Sequence, residues 1–379
     1  MAFAIRPDLA SWRSMRCVTT FVVLSAVACL TRGCGSETSG ENTATGSSGA
    51  GGDASSTGGA AGSRGTVTDA GGAGGSVDAS AAMDAGDSVY SDVAIEGSGQ
   101  RDGGVSRVPD LKILTFNIRY GTAADGANAW PNRRELVYRV LREQDADSAG
   151  LQEALIGQLQ DVAAALPQYQ RIGVGRDDGV TAGDFSAILF RASRFEVASS
   201  GTFWFSDTPE VPGSTSWGNT TTRICTWGRF VEKQTGRSYY HFNVHLDNVS
   251  QPSREKSVQL LMKRVAERPI ATDPFIVTGD FNAGESEPAV RYMVGAASIG
   301  GTANPIPLVD SFRQVYPTAT NVGTFNNFQG ITTGDKIDFI FMGPNEKATA
   351  AEIVHTQENG RYPSDHFAVA AAIDMLGWN

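Results

Sequence analysis

The chain has 379 residues, 41% of them hydrophobic, and a formal charge of −10. That length suits one large domain with additional segments, and the acidic balance argues against the overall basic surface of a dedicated duplex-binding protein. The charge is uneven: 1–34 carries four arginines against one aspartate, 35–106 carries ten acids against two arginines, and 107–379 is left with −5.

Arg6, Arg13 and Arg16 make a positive start, followed by thirteen mostly apolar residues at 18–30. A membrane-spanning helix needs about 20, so this reads as an export signal over 1–29. Cys29 follows Ala26-Val27-Ala28, and Cys34 follows Thr31-Arg32-Gly33. A cysteine ahead of a small-residue tether resembles a bacterial lipoprotein, with Cys29 or Cys34 as the lipidated residue. The reading is therefore an exported protein, either an outer-membrane or cell-surface lipoprotein or simply secreted, touching a membrane only through a lipid anchor. Residues 30–107 are almost all Gly, Ala, Ser, Thr and Asp. Such a stretch buries too little apolar surface to offset its ordering entropy, which makes it a linker.

From 108 to the end, short apolar runs alternate with amphipathic ones. Strands are expected at 111–117, 148–152, 186–191, 195–205, 223–232, 239–245, 275–280, 337–342 and 367–373. Helices are expected at 133–142, at 156–166 before Pro167, at 253–267 with Ser253 as cap, and in a short piece from Glu287. Strand-rich runs separated by helices imply layered α/β packing. Cys225 has no cysteine partner after residue 108, so it reads as a small buried hydrophobe rather than a nucleophile.

Polar residues collect where the apolar strands end. Asn117, Glu153, His245, Asp280, Asn282, Asp338, Asp365 and His366 all fall at or just beyond such ends. Asn and Asp end strands because they make turns, but eight such residues, with two of only four histidines among them, exceed what turns require. Their types suit phosphoryl transfer to water. That chemistry needs a hard divalent cation, a base, and donors for developing charge. Glu153 and Asp365 are the natural carboxylate ligands for Mg²⁺ or Mn²⁺. Asn117 and Asn282 add neutral oxygens and amide donors. His245 and His366 can act as acids or phosphate-binding cations. Ser364-Asp365-His366 is no hydrolase triad, because neighbours on an extended segment cannot face one another. His241, His245 and His355 lack zinc spacing.

TFNIRYG at 115–121, LQE at 151–153, NVHLD at 243–247, TGDFN at 278–282, KIDFIF at 336–341 and SDH at 364–366 follow in this order. In motifs and order the chain resembles the endonuclease/exonuclease/phosphatase superfamily. The resemblance implies a four-layer α/β sandwich of the DNase I-like kind, with two mixed, mainly antiparallel sheets between helices. It also implies roles. Glu153 binds the metal, helped by Asn117, and Asp365 is a metal or metal-water ligand. Asp280 orients or deprotonates the attacking water, and Asn282 holds a phosphoryl oxygen. His366 stabilises the pentacoordinate phosphorane, with Asp338 fixing its tautomer. His245 contacts phosphate or protonates the leaving group. Relatives support that second histidine with a glutamate, where this chain has the shorter Asp184, and they often carry a second His where this chain has Asn248.

Arg119, Arg176, Trp130 and Trp217 are candidate substrate contacts, with GRDDG at 175–179 and the segment 204–218 as rim loops. Tyr362 either lines the pocket or packs. The expectation is a monomeric, metal-dependent phosphoesterase acting on a small, sugar-linked or lipid-linked phosphate. The rival is a secreted DNA or RNA endonuclease, which would need Arg119, Arg133, Arg134 and Arg176 to converge. A non-catalytic binding module is the remote third reading.

Overall fold

A computed structural model describes residues 110–219 and 221–375. The signal expected at 1–29 and the linker expected at 30–107 lie outside the described residues. Twelve strands are present among the described residues: β1 Leu111–Asn117, β2 Ser148–Ala154, β3 Tyr169–Ile172, β4 Phe185–Arg191, β5 Phe195–Trp204, β6 Ile224–Glu232, β7 Ser238–His245, β8 Phe275–Asp280, β9 Val309–Asp310, β10 Asp338–Met342, β11 Lys347–Val354 and β12 Ala368–Asp374. The helices are α1 Trp130–Gln144, α2 Ile156–Ala165, α3 Gln251–Ala266, α4 Pro288–Met293 and α5 Ser311–Val315.

The strands form two six-stranded sheets, β11-β12-β1-β2-β4-β3 and β5-β6-β7-β8-β10-β9. Each has one parallel pair at its centre, β1 with β2 and β7 with β8, and antiparallel neighbours on both sides. This is the expected mixed, mainly antiparallel sandwich. Three apolar clusters separate its four layers. Leu114 and Phe116 of β1 pack with Val137 and Leu141 of α1 and Leu159 of α2. Tyr240, Phe242 and Val244 of β7 pack with Val258, Leu261 and Met262 of α3. Leu111 and Ile113 meet Tyr239, Ile276 and Ile340 between the sheets.

The period-two alternation of strands accounts for both sets of faces. Even residues of β1 turn to the helices, odd residues to the facing sheet. The inward rows then change character along their length. Ile113 is followed by Thr115 and Asn117, Ile276 by Thr278 and Asp280, and Tyr239 by His241, Asn243 and His245, all nearly or fully buried. The interior thus grades from apolar, through polar, to the strand ends where the candidate residues lie.

Several elements depart from expectation. Helix α1 begins at Trp130 rather than 133, with Pro131 in its first turn, a position where proline costs no hydrogen bond. Helix α3 is capped by Ser250, whose Oγ accepts from the Ser253 amide, so Ser253 lies inside the helix. Strand β11 (KATAAEIV) carries four small or polar outward positions and few branched residues, so it was not legible as a strand. β3 and β9 are shorter than the patterns that sequence periodicity detects.

Candidate active site

Register brings the candidate residues together. His245 pairs with Asp280 across β7 and β8, and Asp280 pairs with Asp338 across β8 and β10. In the other sheet Asn117 pairs with Gln152, the neighbour of Glu153. Glu153 sits at an irregularity between Leu151 and Ala154 in the β2–β4 ladder, with a left-handed φ of 59°. A bulge re-aims a side chain, and here it lets consecutive residues Gln152 and Glu153 both serve the interior. Arg119 (φ 54°) and Asn282 (φ 46°) are also left-handed. Non-glycine residues held this way cluster at functional sites.

Asp280 is the hub. Its Oδ2 accepts from Asn117 Nδ2 at 3.0 Å and lies 3.5 Å from His245 Nε2 and 3.8 Å from His366 Nε2. Its Oδ1 accepts from the Asn282 amide at 2.8 Å. Burial, with the nearby Asp338 charge, pushes the Asp280 carboxyl up to about 7. Asp338 Oδ2 is 2.9 Å from His366 Nδ1. Burial opposes charge on His366, but Asp338 and Asp280 outweigh it and raise the imidazolium to about 10. His245 moves the other way, held neutral by burial and by Arg223 and Arg176 beside it. Two histidines on one carboxylate therefore differ in charge, set by what stands behind each.

Glu153 and Asp365 line the same pocket as Asp280. Asn117 Nδ2 also donates to Glu153 Oε1 at 3.2 Å, and the Tyr120 amide donates to Glu153 Oε2 at 3.1 Å. Asn117 thus bridges two carboxylates with its amide nitrogen, while its oxygen accepts from the Arg119 amide. Burial, with Glu153 nearby, raises Asp365, against His366 and Arg119. The two carboxylates line one pocket and make a hard oxygen donor set, which fits a divalent cation. Asp280, Asp338 and His366 also offer ligand atoms within 4.8 Å of one another. There the histidine proton already bonds Asp338, and an imidazolium repels a cation, so the Glu153–Asp365 wall is the better fit.

Buried contacts hold this geometry. Ser364 Oγ donates to the Asn117 carbonyl at 2.7 Å, tying the SDH segment to β1. Arg133, 1% exposed, bonds the carbonyls of Asn128, Ile118, Pro363 and Arg119. Gln158 accepts from the Gly121 amide and donates to the Arg119 carbonyl. The 118–121 loop is therefore fixed from two helices.

The pocket encloses about 800 Å³, and Arg119 and Arg176 line it as expected. The tryptophans do not line it. Trp130 is buried at the start of α1, its Nε1 donating to Asp161, and not in a loop. Trp217 packs against the α3 core and donates to Asp207. Tyr362 packs edge-on against Phe367. Asp184, the residue in question for support of His245, pairs instead with Arg176 at 2.8 Å. Of the four arginines whose convergence would favour the nuclease rival, only Arg119 and Arg176 share the pocket. Arg133 is buried, Arg119 makes a two-point contact with Asp125, and Arg134 lies beside Asp161. Phe325, which packs edge-on against His366, and Arg223 line the pocket and were missed. Arg223 had one signal in the sequence, a cation at the head of an apolar strand.

A family model described as "Endonuclease/Exonuclease/phosphatase family" matches residues 114–366, from β1 through His366. The chain belongs to the endonuclease/exonuclease/phosphatase family. Members of this family are phosphoester hydrolases and generally depend on a divalent metal. The crystal structure of a family member from Bacteroides vulgatus is 33% identical, with a TM-score of 0.64, covering 70% of this chain and 99% of that one. A mannosyl-6-phosphatase of Bacteroides thetaiotaomicron is 32% identical, with a TM-score of 0.61, covering 70% and 99%. An uncharacterized protein of Acanthamoeba polyphaga mimivirus is 29% identical over 181 residues, 45% of this chain and 67% of that protein.

Proposed function

We propose that this member of the family hydrolyses a small, sugar-linked phosphate ester with a divalent cation, Mg²⁺ or Mn²⁺. The observation that carries the reading is Asp280 between His245 and His366, beside the Glu153–Asp365 wall. Glu153 and Asp365 would hold the cation, with Asn117 orienting Glu153. When bound it would neutralise phosphoryl oxygens and lower the cost of attack. Asp280, poised near neutrality, takes a proton from the attacking water. The water oxygen bonds phosphorus as the ester bond breaks, and the leaving oxygen is protonated from water in the open pocket. His366, charged and backed by Asp338, stabilises the charge that develops on phosphorus-bound oxygen. Asn282 and the neutral His245 donate to phosphoryl oxygens, which favours phosphate contact over acid catalysis for His245.

The sugar-linked class is supported by the likeness to the mannosyl-6-phosphatase and by the pairing of Arg119 with Asp125 and Arg176 with Asp184, which among the described residues at the pocket leaves little basic track for a nucleic-acid backbone. Export, through a lipid on Cys29 or Cys34 or by plain secretion, belongs to the same proposal and rests on the sequence of 1–34. The test is a panel of sugar 6-phosphates, p-nitrophenyl phosphate, bis-p-nitrophenyl phosphate, plasmid DNA and RNA, with Mg²⁺, Mn²⁺ or EDTA. Sugar phosphates should be the best substrates and EDTA should abolish turnover. Rapid plasmid nicking with inert sugar phosphates would overturn the substrate class in favour of the nuclease.

A further inference from the structure

Two buried arginines of this molecule are solvated very differently. Arg133 spends its guanidinium on four backbone carbonyls, as a structural arginine must when removed from water. Arg223 is 5% exposed and makes one side-chain hydrogen bond, from Nη2 to Asn248 Oδ1 at 2.9 Å. Its Nε lies 3.7 Å from Asp247 Oδ2. Nε and Nη1 have no hydrogen-bond partner among the described residues. The same holds for Nε of Arg176.

Arg223 and Arg176 line the catalytic pocket, and both border a crevice that ends on His245. Three groups that can carry positive charge therefore crowd one wall. Asp184 answers Arg176 and the more distant Asp247 answers Arg223. The mutual repulsion is visible in the groups themselves: burial and then Arg176 lower the Arg223 pKa, and burial followed by Arg223 and Arg176 lowers His245. Unmet buried donors on residues that line a cavity are what an anion would complete.

We infer that Arg223, with Arg176 and His245, forms an anion subsite that receives a non-bridging oxygen of the reacting phosphoryl group and selects phosphate monoesters over diesters. This rests on the phosphoester-hydrolase reading above and deepens it. Near neutral pH a monoester phosphoryl group carries close to two charges, its second pKa being about 6, whereas a diester carries one. A cation held by Glu153 and Asp365, together with His366, would answer part of that charge. Arg223, a further guanidinium lining the pocket with His245, would be answered by the second charge. A diester would place an uncharged ester oxygen against it and leave the buried donors unpaired, which is costly.

The experiment compares p-nitrophenyl phosphate with methyl p-nitrophenyl phosphate, which share a leaving group and differ by one methyl and one charge. Inorganic phosphate binding is measured alongside by calorimetry, with Mn²⁺ present throughout. In Arg223→Gln, monoester kcat/KM should fall about 30- to 100-fold, diester kcat/KM less than about fivefold, and phosphate affinity at least about tenfold. Arg223→Lys should fall between, since it restores charge without the planar fork. Should Arg223→Gln fail to fold, Asn248→Ala loosens the same guanidinium from an exposed rim and should shift the preference in the same direction. Equal losses on both esters, or unchanged phosphate binding, would make Arg223 structural and overturn the inference. If the wild type cleaved neither ester the proposed function would fall, and phosphate binding would still decide the subsite.

Discussion

Asp280 has the most contacts to other site residues, and its neighbours set its chemistry. Burial and Asp338 bring its carboxyl to about 7, while Asp338 and Asp280 keep His366 charged to about 10. A base works when deprotonated and a charge stabiliser when protonated. kcat/KM should therefore rise with pH to a plateau above about 7 and fall again above about 10. A pH–rate profile checks this, and a rate already flat from pH 5 to 7 would contradict the base assignment. Asp280→Asn should cut kcat by roughly a thousandfold without lowering Tm, because it removes a buried charge and keeps the shape. Near-normal turnover in that variant would remove Asp280 from the mechanism.

At the scale of the element, the inward rows of β1, β2, β7 and β8 matter as much as their ends. His241, fully buried, lies between Ser148 Oγ at 2.8 Å and Thr278 Oγ1 at 2.7 Å. Thr278 donates to Asn243, which also accepts from Gln152. This polar seam joins the two sheets directly beneath Asn117 and Asp280. Burial holds His241 down to about 3, below its ordinary value in the unfolded chain. Below pH 6.5 the unfolded state takes a proton that the folded state refuses, so stability falls with pH and the loss levels off near 3. The slope is about 1.4 kcal/mol per pH unit for one group. Denaturant melts of His241→Gln against wild type between pH 6.5 and 4.5 should show a shallower loss in the variant, and parallel curves would refute it.

Gly279 marks the tight β7–β8 approach: an added Cβ would meet the Val244 carbonyl oxygen at 2.3 Å. Gly279→Ala should cost at least about 2 kcal/mol and lower Tm by roughly 4–8 °C. An unchanged melt would show that the strands can part there. The sequence carried the strand ends and their acids, because motif spacing and apolar runs mark them. It did not carry the seam: Ser148, Gln152, His241, Asn243 and Thr278 come from three strands, and only register aligns them. Trp130 shows the opposite failure. A tryptophan after a turn reads as exposed, but helix α1 starts on it and buries it.

At the scale of the molecule, charge and packing bear on substrate choice. The described arginines near the pocket are spent on partners, Arg119 on Asp125 and Arg176 on Asp184, or buried, as are Arg133 and Arg223. Among the described residues near the pocket, positive charge thus lies inside the cavity rather than along a surface track, which suits the proposed small anion. Binding of an anionic polymer through many phosphates weakens steeply with salt, whereas binding one phosphoryl group does so weakly. KM for a sugar phosphate should accordingly change less than about threefold between 50 and 200 mM salt, and a steep rise would favour the nuclease reading.

The most direct test of the central claim is turnover of a sugar 6-phosphate by the purified protein, stripped with EDTA and then titrated with Mn²⁺ or Mg²⁺. The stripped protein should release no inorganic phosphate, either ion should restore release, and Asp280→Asn should not recover. Undiminished phosphate release without a divalent ion, or metal-restored activity in Asp280→Asn, would contradict the claim.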